Sequence, residues 1–173
     1  PNDVPVLGQW LHNLGDLLWF QDDEELNDTV ILDPQWVTEY VYKVLDSKEV
    51  VAGLGIFRRD HMLQVWGDLD LGMRDRFLRL LERFDLSYRT LLNPDVSIVV
   101  ERLSMDEPGP LEQEWGKITQ GPGTCNEISM RFELNTTIPA GVPTWFIARQ
   151  HRFSTRTHWR YGALFGDGQE RRH

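Results

Sequence analysis

Cysteine is almost absent from this chain: Cys125 stands alone among 173 residues. That excludes an internal disulfide and fits a reducing compartment. No apolar run approaches the ~20 residues that a membrane helix needs, so no membrane span is expected. The first residues also lack the basic and apolar regions of a secretory signal. The expected location is therefore the cytoplasm. Positive charge is in deficit too. Eighteen Lys and Arg against 27 Asp and Glu leave a net charge of −9, which weighs against general binding to nucleic acid or to anionic membrane.

Motifs that carry chemistry are missing as well. His12, His61, His151, His158 and His173 show no His-Glu-x-x-His or Cys/His ligand spacing. The run Asp22 to Glu25 with Asp28 lacks the glycine and alternating ligand positions of a calcium loop, and it reads as a solvated loop. Gly116-Lys117 lacks both the earlier glycine and the following Ser or Thr of a phosphate-binding loop. No Gly-x-Ser-x-Gly elbow occurs, and Cys125 lies among glycines and prolines with no activating His nearby in sequence. The expectation is no catalytic, cofactor-binding or metal residue within the chain, hence no enzyme.

Hydrophobic residues make up 40% and aromatics 11%, enough for a folded core. Leu7, Trp10, Leu11 and Leu14 recur at helical spacing before Gly15, a natural helix stop. Leu17 to Phe20 and Thr29 to Leu32 read as short strands. Asp33 and Pro34 then open a helix, because the carboxylate can accept free backbone N–H groups and proline has none to waste. Trp36, Val37, Tyr40, Val41, Val44 and Leu45 give this helix one apolar face, with Glu39 and Lys43 on the other. A short helix is expected at Arg59 to Trp66, with Met62, Leu63 and Trp66 inward. A longer one runs from about Gly72 to Phe84, burying Met73, Phe77, Leu80, Leu81 and Phe84. Leu86 to Thr90 and Val96 to Leu103 read as strands joined at Asn93-Pro94-Asp95. Three helices closing with a hairpin is the pattern of a winged helix.

Pro108, Gly109, Pro110, Gly121, Pro122 and Gly123 punctuate the next segment as a linker. Ile128, Met130, Phe132 and Leu134 then alternate with polar residues like a one-faced strand. Pro143 opens a helix through about His151, and His158 to Phe165 reads as a strand entering a Gly166-Asp167-Gly168 turn. With no strand after that turn, the second half is expected to be truncated. The fold class is α+β: a winged-helix-like subdomain at 1–104, a linker at 105–126 and part of a second α/β subdomain at 127–173.

Two stretches in combination, Leu11-His12-Asn13-Leu14-Gly15-Asp16 and Val30-Ile31-Leu32-Asp33-Pro34-Gln35-Trp36, resemble the COR domain, the segment C-terminal to the Roc GTPase in Roco proteins. The likeness continues through Val41 to Leu45 and Phe77 to Phe84. Further on, Met130-Arg131-Phe132, Ile138 to Gly141 and Trp159-Arg160-Tyr161-Gly162 look like parts of the family's second subdomain. The resemblance implies a non-catalytic signalling module whose first half packs near the Roc domain and whose second half supports dimerisation of the parent. GTP or GDP would then bind the neighbouring Roc domain. It also implies that His158, Trp159, Arg160 and Tyr161 are candidate Roc-interface residues, since the family's W-R-x-G strand lies close to that interface. The alternative is that Trp159 and Tyr161 sit on opposite faces of a strand and one fills the core.

The competing class is a winged-helix nucleic-acid or protein-interaction module. Arg74, Arg76, Arg79 and Arg83 would face phosphates from the helix at 72–84, with Asn93-Pro94-Asp95 as wing. Asp75, Glu82, Asp85 and Asp95 interrupt that basic face, and useful affinity requires neutralising several phosphates. A solvated helix face fits those residues better.

Overall fold

A computed structural model describes residues 3–109, 111, 113, 115–116, 130–133, 135–137 and 139–166, with backbone alone at 154–156. Helix α1 (Asp3–Leu14) stops where Gly15 takes φ +84°, a left-handed conformation open to glycine. Strands β1 (Leu18–Trp19) and β2 (Val30–Ile31) pair antiparallel behind it. Helix α2 (Pro34–Leu45) begins as the sequence indicates: the Asp33 carboxylate accepts from Gln35 N–H at 2.9 Å and from Trp36 N–H at 3.4 Å.

The sequence reading missed two short elements. Helix α3 (Lys48–Ala52) is capped by Ser47, and strand β3 (Ile56–Arg58) follows the left-handed Gly55 at φ +92°. Helix α4 (Arg59–Val65) buries Met62 and positions Trp66, but Leu63 points outward, 62% exposed, contrary to the inward expectation. Asp70 caps α5 (Leu71–Arg83) by accepting from Met73 N–H at 2.9 Å. Strands β4 (Ser87–Arg89) and β5 (Val96–Val99) complete a three-stranded antiparallel sheet in the order β3-β5-β4. The Asn93 side chain supports the tight turn between them by accepting from Asp95 N–H at 3.0 Å.

Against this sheet lies a core of Val44, Val50, Phe57, Trp66, Phe77, Leu80, Leu81 and Val99. Trp36 and Tyr40 meet each other and Phe77 at a centroid distance of 5.1 Å, and Trp66 meets Phe77 at 5.7 Å and Phe57 at 5.4 Å, in tilted and edge-on geometries that ring quadrupoles prefer to a face-to-face sandwich. The fully buried Trp66 donates its indole N–H to Tyr40 O at 3.1 Å. Tyr40 O–H in turn donates to Asp68, which also holds Lys43 at 3.2 Å. Lys43 thus reaches across to another loop instead of along its helix to Glu39.

The second half departs further from expectation. Residues 130–133 are irregular, with Met130 and Phe132 73% and 80% exposed, so the alternating strand does not form there. Ile128, Ser129 and Leu134 lie outside the described residues, as does most of the linker. Helix α6 (Val142–Gln150) is followed by a 3-10 turn at His151–Phe153. The expected single strand at 158–165 is instead two, β6 (Ser154–Trp159) and β7 (Gly162–Phe165), folded back at Arg160-Tyr161. Gly162 makes the reversal compact, because a Cβ there would fall on the Trp159 indole that lies across it. The Gly166-Asp167-Gly168 turn mostly falls outside the described residues.

Candidate functional site

The four residues singled out in sequence lie at this hairpin turn, and the structure gives each a different surrounding. His158 packs edge-on to Tyr88 of β4, centroids 6.5 Å apart, while His151 stacks flat on the same ring at 4.9 Å. Trp159 covers Gly162. Arg160 turns inward: its N–H donates to Ser104 O at 2.7 Å and its guanidinium to Glu101 at 2.7 Å. Tyr161 is 58% exposed, its hydroxyl 3.4 Å from Met105 Sδ.

Glu101 is the hub of this junction. It also accepts from the hydroxyl of fully buried Thr144 on α6, at 2.8 Å. Arg149, one turn further along α6, holds Asp85 at 2.6 Å just beyond α5. Between these polar ties, Ile147 and Ala148 of α6 pack on Tyr88, Ile98, Val100 and Leu103. The two halves of the chain are therefore one packed body at this seam. Sequence reading missed Glu101, Thr144, Asp85 and Arg149 in this role, and no local signal marks them, since each partner is at least 43 residues away.

Beside the seam lies a cavity of about 350 Å³, lined by Ile56, Tyr88, Leu91, Leu92, Ile98, His151 and His158, among others. Its walls are mainly apolar. His158 Nδ1 is buried there with no hydrogen-bond partner among the described residues, and burial pushes the imidazole below its ordinary pKa.

A second arrangement concerns the arginines of α5. Arg79 grips Asp23, whose side chain is only 1% exposed, at 2.8 Å. Arg76 pairs with Asp28 at 3.0 Å and Arg83 with Asp22 at 2.6 Å, while Arg89 of β4 spans Glu82 and Glu25 at 2.5 and 3.0 Å. Hydrogen bonding from Arg79 holds the Asp23 carboxyl below the usual range, and donation by Arg89 to the Glu82 carboxylate holds the Arg89 guanidinium above its own. The acidic stretch at 22–28 is thus not simply a solvated loop. It is a counter-ion strip laid along the basic face of α5, and Arg74 is likewise engaged, donating to Trp66 O at 2.9 Å.

Among the described residues, no group of three His, Cys, Asp or Glu side chains is placed to hold a metal, and no helix is long and apolar enough to cross a membrane. What the fold presents is a two-part α+β module joined by a polar seam. The chain matches the family described as C-terminal of Roc, COR-A domain, over residues 1–103, and C-terminal of Roc, COR-B domain, over residues 125–172. It belongs to the COR family. It is 27% identical over 173 residues to "Probable serine/threonine-protein kinase pats1" of Dictyostelium discoideum, covering 93% of this chain and 5% of that protein. To the "Roc-COR-CHAT protease" of Runella zeae it is 21% identical over 159 residues, covering 91% and 16%. A Methanosarcina barkeri structure, Roco2 RocCORdC bound to GDP, aligns with 57% of this chain and 32% of its own at TM-score 0.49 and 24% identity. The chain therefore spans a small fraction of the relatives it matches.

Proposed function

We propose that this chain is the COR segment of a Roco-type signalling protein, a non-catalytic module that adjoins a Roc GTPase and couples its nucleotide state to assembly, including dimerisation of the parent. The succession of COR-A and COR-B matches along one chain carries this reading. In it, GTP or GDP resides on the neighbouring Roc domain, and the protein is cytoplasmic. The first half reads as a winged helix, supported by helices α2 to α5 sharing a core with a sheet of order β3-β5-β4 and by the Asn93 turn between β4 and β5.

The mechanism in this reading is packing. His158, Trp159, Arg160 and Tyr161 form the Roc-facing turn, with exposed Tyr161 as the contact and Arg160 as the tie behind it. A Roc switch that displaces the turn would pull on Glu101 and so on the first half. By linkage, that contact would bias nucleotide affinity to the same degree. The nucleic-acid alternative is disfavoured by one observation: Arg76, Arg79 and Arg83 are already paired with Asp28, Asp23 and Asp22, leaving little free charge to displace counterions from a phosphate backbone.

The test is GTP and GDP binding, hydrolysis and sedimentation of the full-length protein, with and without residues 1–173. Turnover or self-association that changes on removal is the expected result. An upstream region that binds no guanine nucleotide sinks the reading. Salt-sensitive binding of duplex DNA would favour the alternative.

A further inference from the structure

We infer that the cavity between the β4–β5 turn and the second half binds a small, uncharged, largely apolar molecule carrying one hydroxyl group, an apolar alcohol or a phenol. Tyr88, Ile98 and the turn residues Leu91 and Leu92 wall it from the first half, and His151 and His158 from the second. Ligand sites form preferentially where two units meet, as apolar clefts of ~300–1,000 Å³ with a few placed polar groups, and this one measures about 350 Å³. A cavity of ~150 Å³ already holds benzene, so there is room here for two fused rings. Leu91 and Leu92 stay 60 and 58% exposed at the rim, so a guest would remove from water apolar surface that the fold by itself leaves wet. The site stands on this chain's own geometry and is independent of the family reading.

The lining sets the chemistry of the guest. No Lys, Arg, Asp or Glu stands among the described residues that line the cavity. A phosphate, carboxylate or ammonium would lose its hydration there without gaining a counter-ion, which excludes nucleotides and other ions. Thr90 and Asn93 spend polar atoms within the turn: Thr90 Oγ1 donates to Asn93 O at 2.8 Å, and Asn93 Oδ1 accepts from Asp95 N–H at 3.0 Å. His151 Nδ1 lies 2.7 Å from Ala148 O, a contact that needs the proton on that nitrogen. His158 differs, because its buried Nδ1 has no hydrogen-bond partner among the described residues, and native structures rarely leave such an atom unsatisfied. Burial keeps this ring neutral, so one nitrogen donates and the other accepts. A hydroxyl does both and can meet the imidazole in either tautomer, while the apolar body of the guest packs on Ile98, Leu91 and Leu92. Because both halves line the site, the guest also fastens them, and stability rises with its concentration.

The experiment is a fluorescence titration of the full-length protein with 2-naphthol, naphthalene and 2-naphthoate, joined to hydrogen exchange with and without 2-naphthol. Expected is saturable 2-naphthol binding, about fivefold or more tighter than either of the others, that slows exchange at residues 86–99 and 146–166. His158→Phe keeps the ring's volume and should abolish the preference for 2-naphthol over naphthalene. Leu92→Asp, at an exposed turn position, should weaken both by about tenfold. Unchanged exchange in α5, which lies in the core, reports an intact fold in each variant. Equal binding of 2-naphthol and naphthalene, or a preference that survives His158→Phe, overturns the hydroxyl-bearing class. Binding of 2-naphthoate as tight as that of 2-naphthol overturns the uncharged class. No binding, or exchange that slows only outside those two segments, overturns the site altogether.

Discussion

Arg79 and Asp23 lie 56 residues apart in sequence, yet the guanidinium meets the carboxylate through three contacts of 2.8 to 3.1 Å. Asp23 is 1% exposed and Arg79 32%, so the acid owes its charge chiefly to this base, with Glu25 N–H donating to it at 3.1 Å. The strip of acids that follows β1 is thereby pinned to α5, with Leu26 beside it in the core.

We predict that Arg79→Met destabilises the protein by about 3 kcal/mol, because it strands a buried charge. Asp23→Asn should cost less, since the amide keeps an acceptor. Urea unfolding at pH 7 measures both, and equal, small losses would show the pair to be incidental. The pH dependence has a definite sign. The Asp23 pKa is lowered in the folded protein, so its contribution is present above the unfolded value of ~3.9 and is lost as pH falls through the folded value. Asp23→Asn should therefore flatten the acid limb of the stability profile below about pH 4.

His158 sets a second pH window. Burial lowers its folded pKa, so the unfolded chain takes the proton first, and stability falls as pH drops from about 6.5 toward the folded value. His151 on the facing side of Tyr88, the Arg149–Asp85 pair and the Glu101–Arg160 pair are the charged or titratable groups around this seam. His158→Phe keeps the ring and removes the titration. Unfolding between pH 8 and pH 5 should show a shallower slope for the variant than for the wild type; equal slopes would mean that another group governs that range.

How much of this was readable depends on how local each cause is. Helices α2 and α5 were legible because Asp33-Pro34 and the Met73/Phe77/Leu80/Leu81 spacing lie within the elements themselves. Strand β3 was not, since its three residues pair with Val96–Ile98 some 40 positions on, and Gly53 and Gly55 read as a loop. The reversal at Arg160-Tyr161 escaped notice because neither residue takes a positive φ, and hairpin signals rest on Gly or Asn adopting one. In α1 the apolar period was plain, but periodicity identifies a face without saying what covers it. The candidate site was legible as a cluster at 158–161, whereas Glu101 and Thr144, which hold it, are joined to it only in three dimensions.

Gly162→Ala tests the fold-back. The new methyl would collide with the Trp159 indole, displacing the ring or opening the turn, at a cost of about 1–3 kcal/mol. Removing the obstacle should restore tolerance: in a Trp159→Val background the same alanine should be nearly neutral. Denaturant unfolding of the wild type and the three variants reads the coupling directly, and simple additivity would mean that the glycine is needed for some reason other than the indole.

The seam itself is tested by a cycle on Glu101 and Arg160, which are 27% and 29% exposed. An exposed ion pair couples by ~0.2–1 kcal/mol, whereas charge-assisted bonds shielded from solvent are worth ~1.5–3. Glu101→Ala removes the acceptor for Arg160 and leaves the fully buried Thr144 hydroxyl only Gly141 O, at 3.0 Å, so it should cost more than Arg160→Ala. Coupling between the two positions should reach about 1 kcal/mol or more. Thr144→Val separates the contributions, since it removes the hydroxyl while leaving the ion pair in place. If Glu101→Ala, Arg160→Ala and the double variant simply add, the halves are held by Ile147 and Ala148 packing on Tyr88 and Val100, by the Arg149–Asp85 pair and by the Arg160 N–H bond to Ser104 O, and the Arg160 guanidinium does not carry a displacement of the 160–161 turn to Glu101.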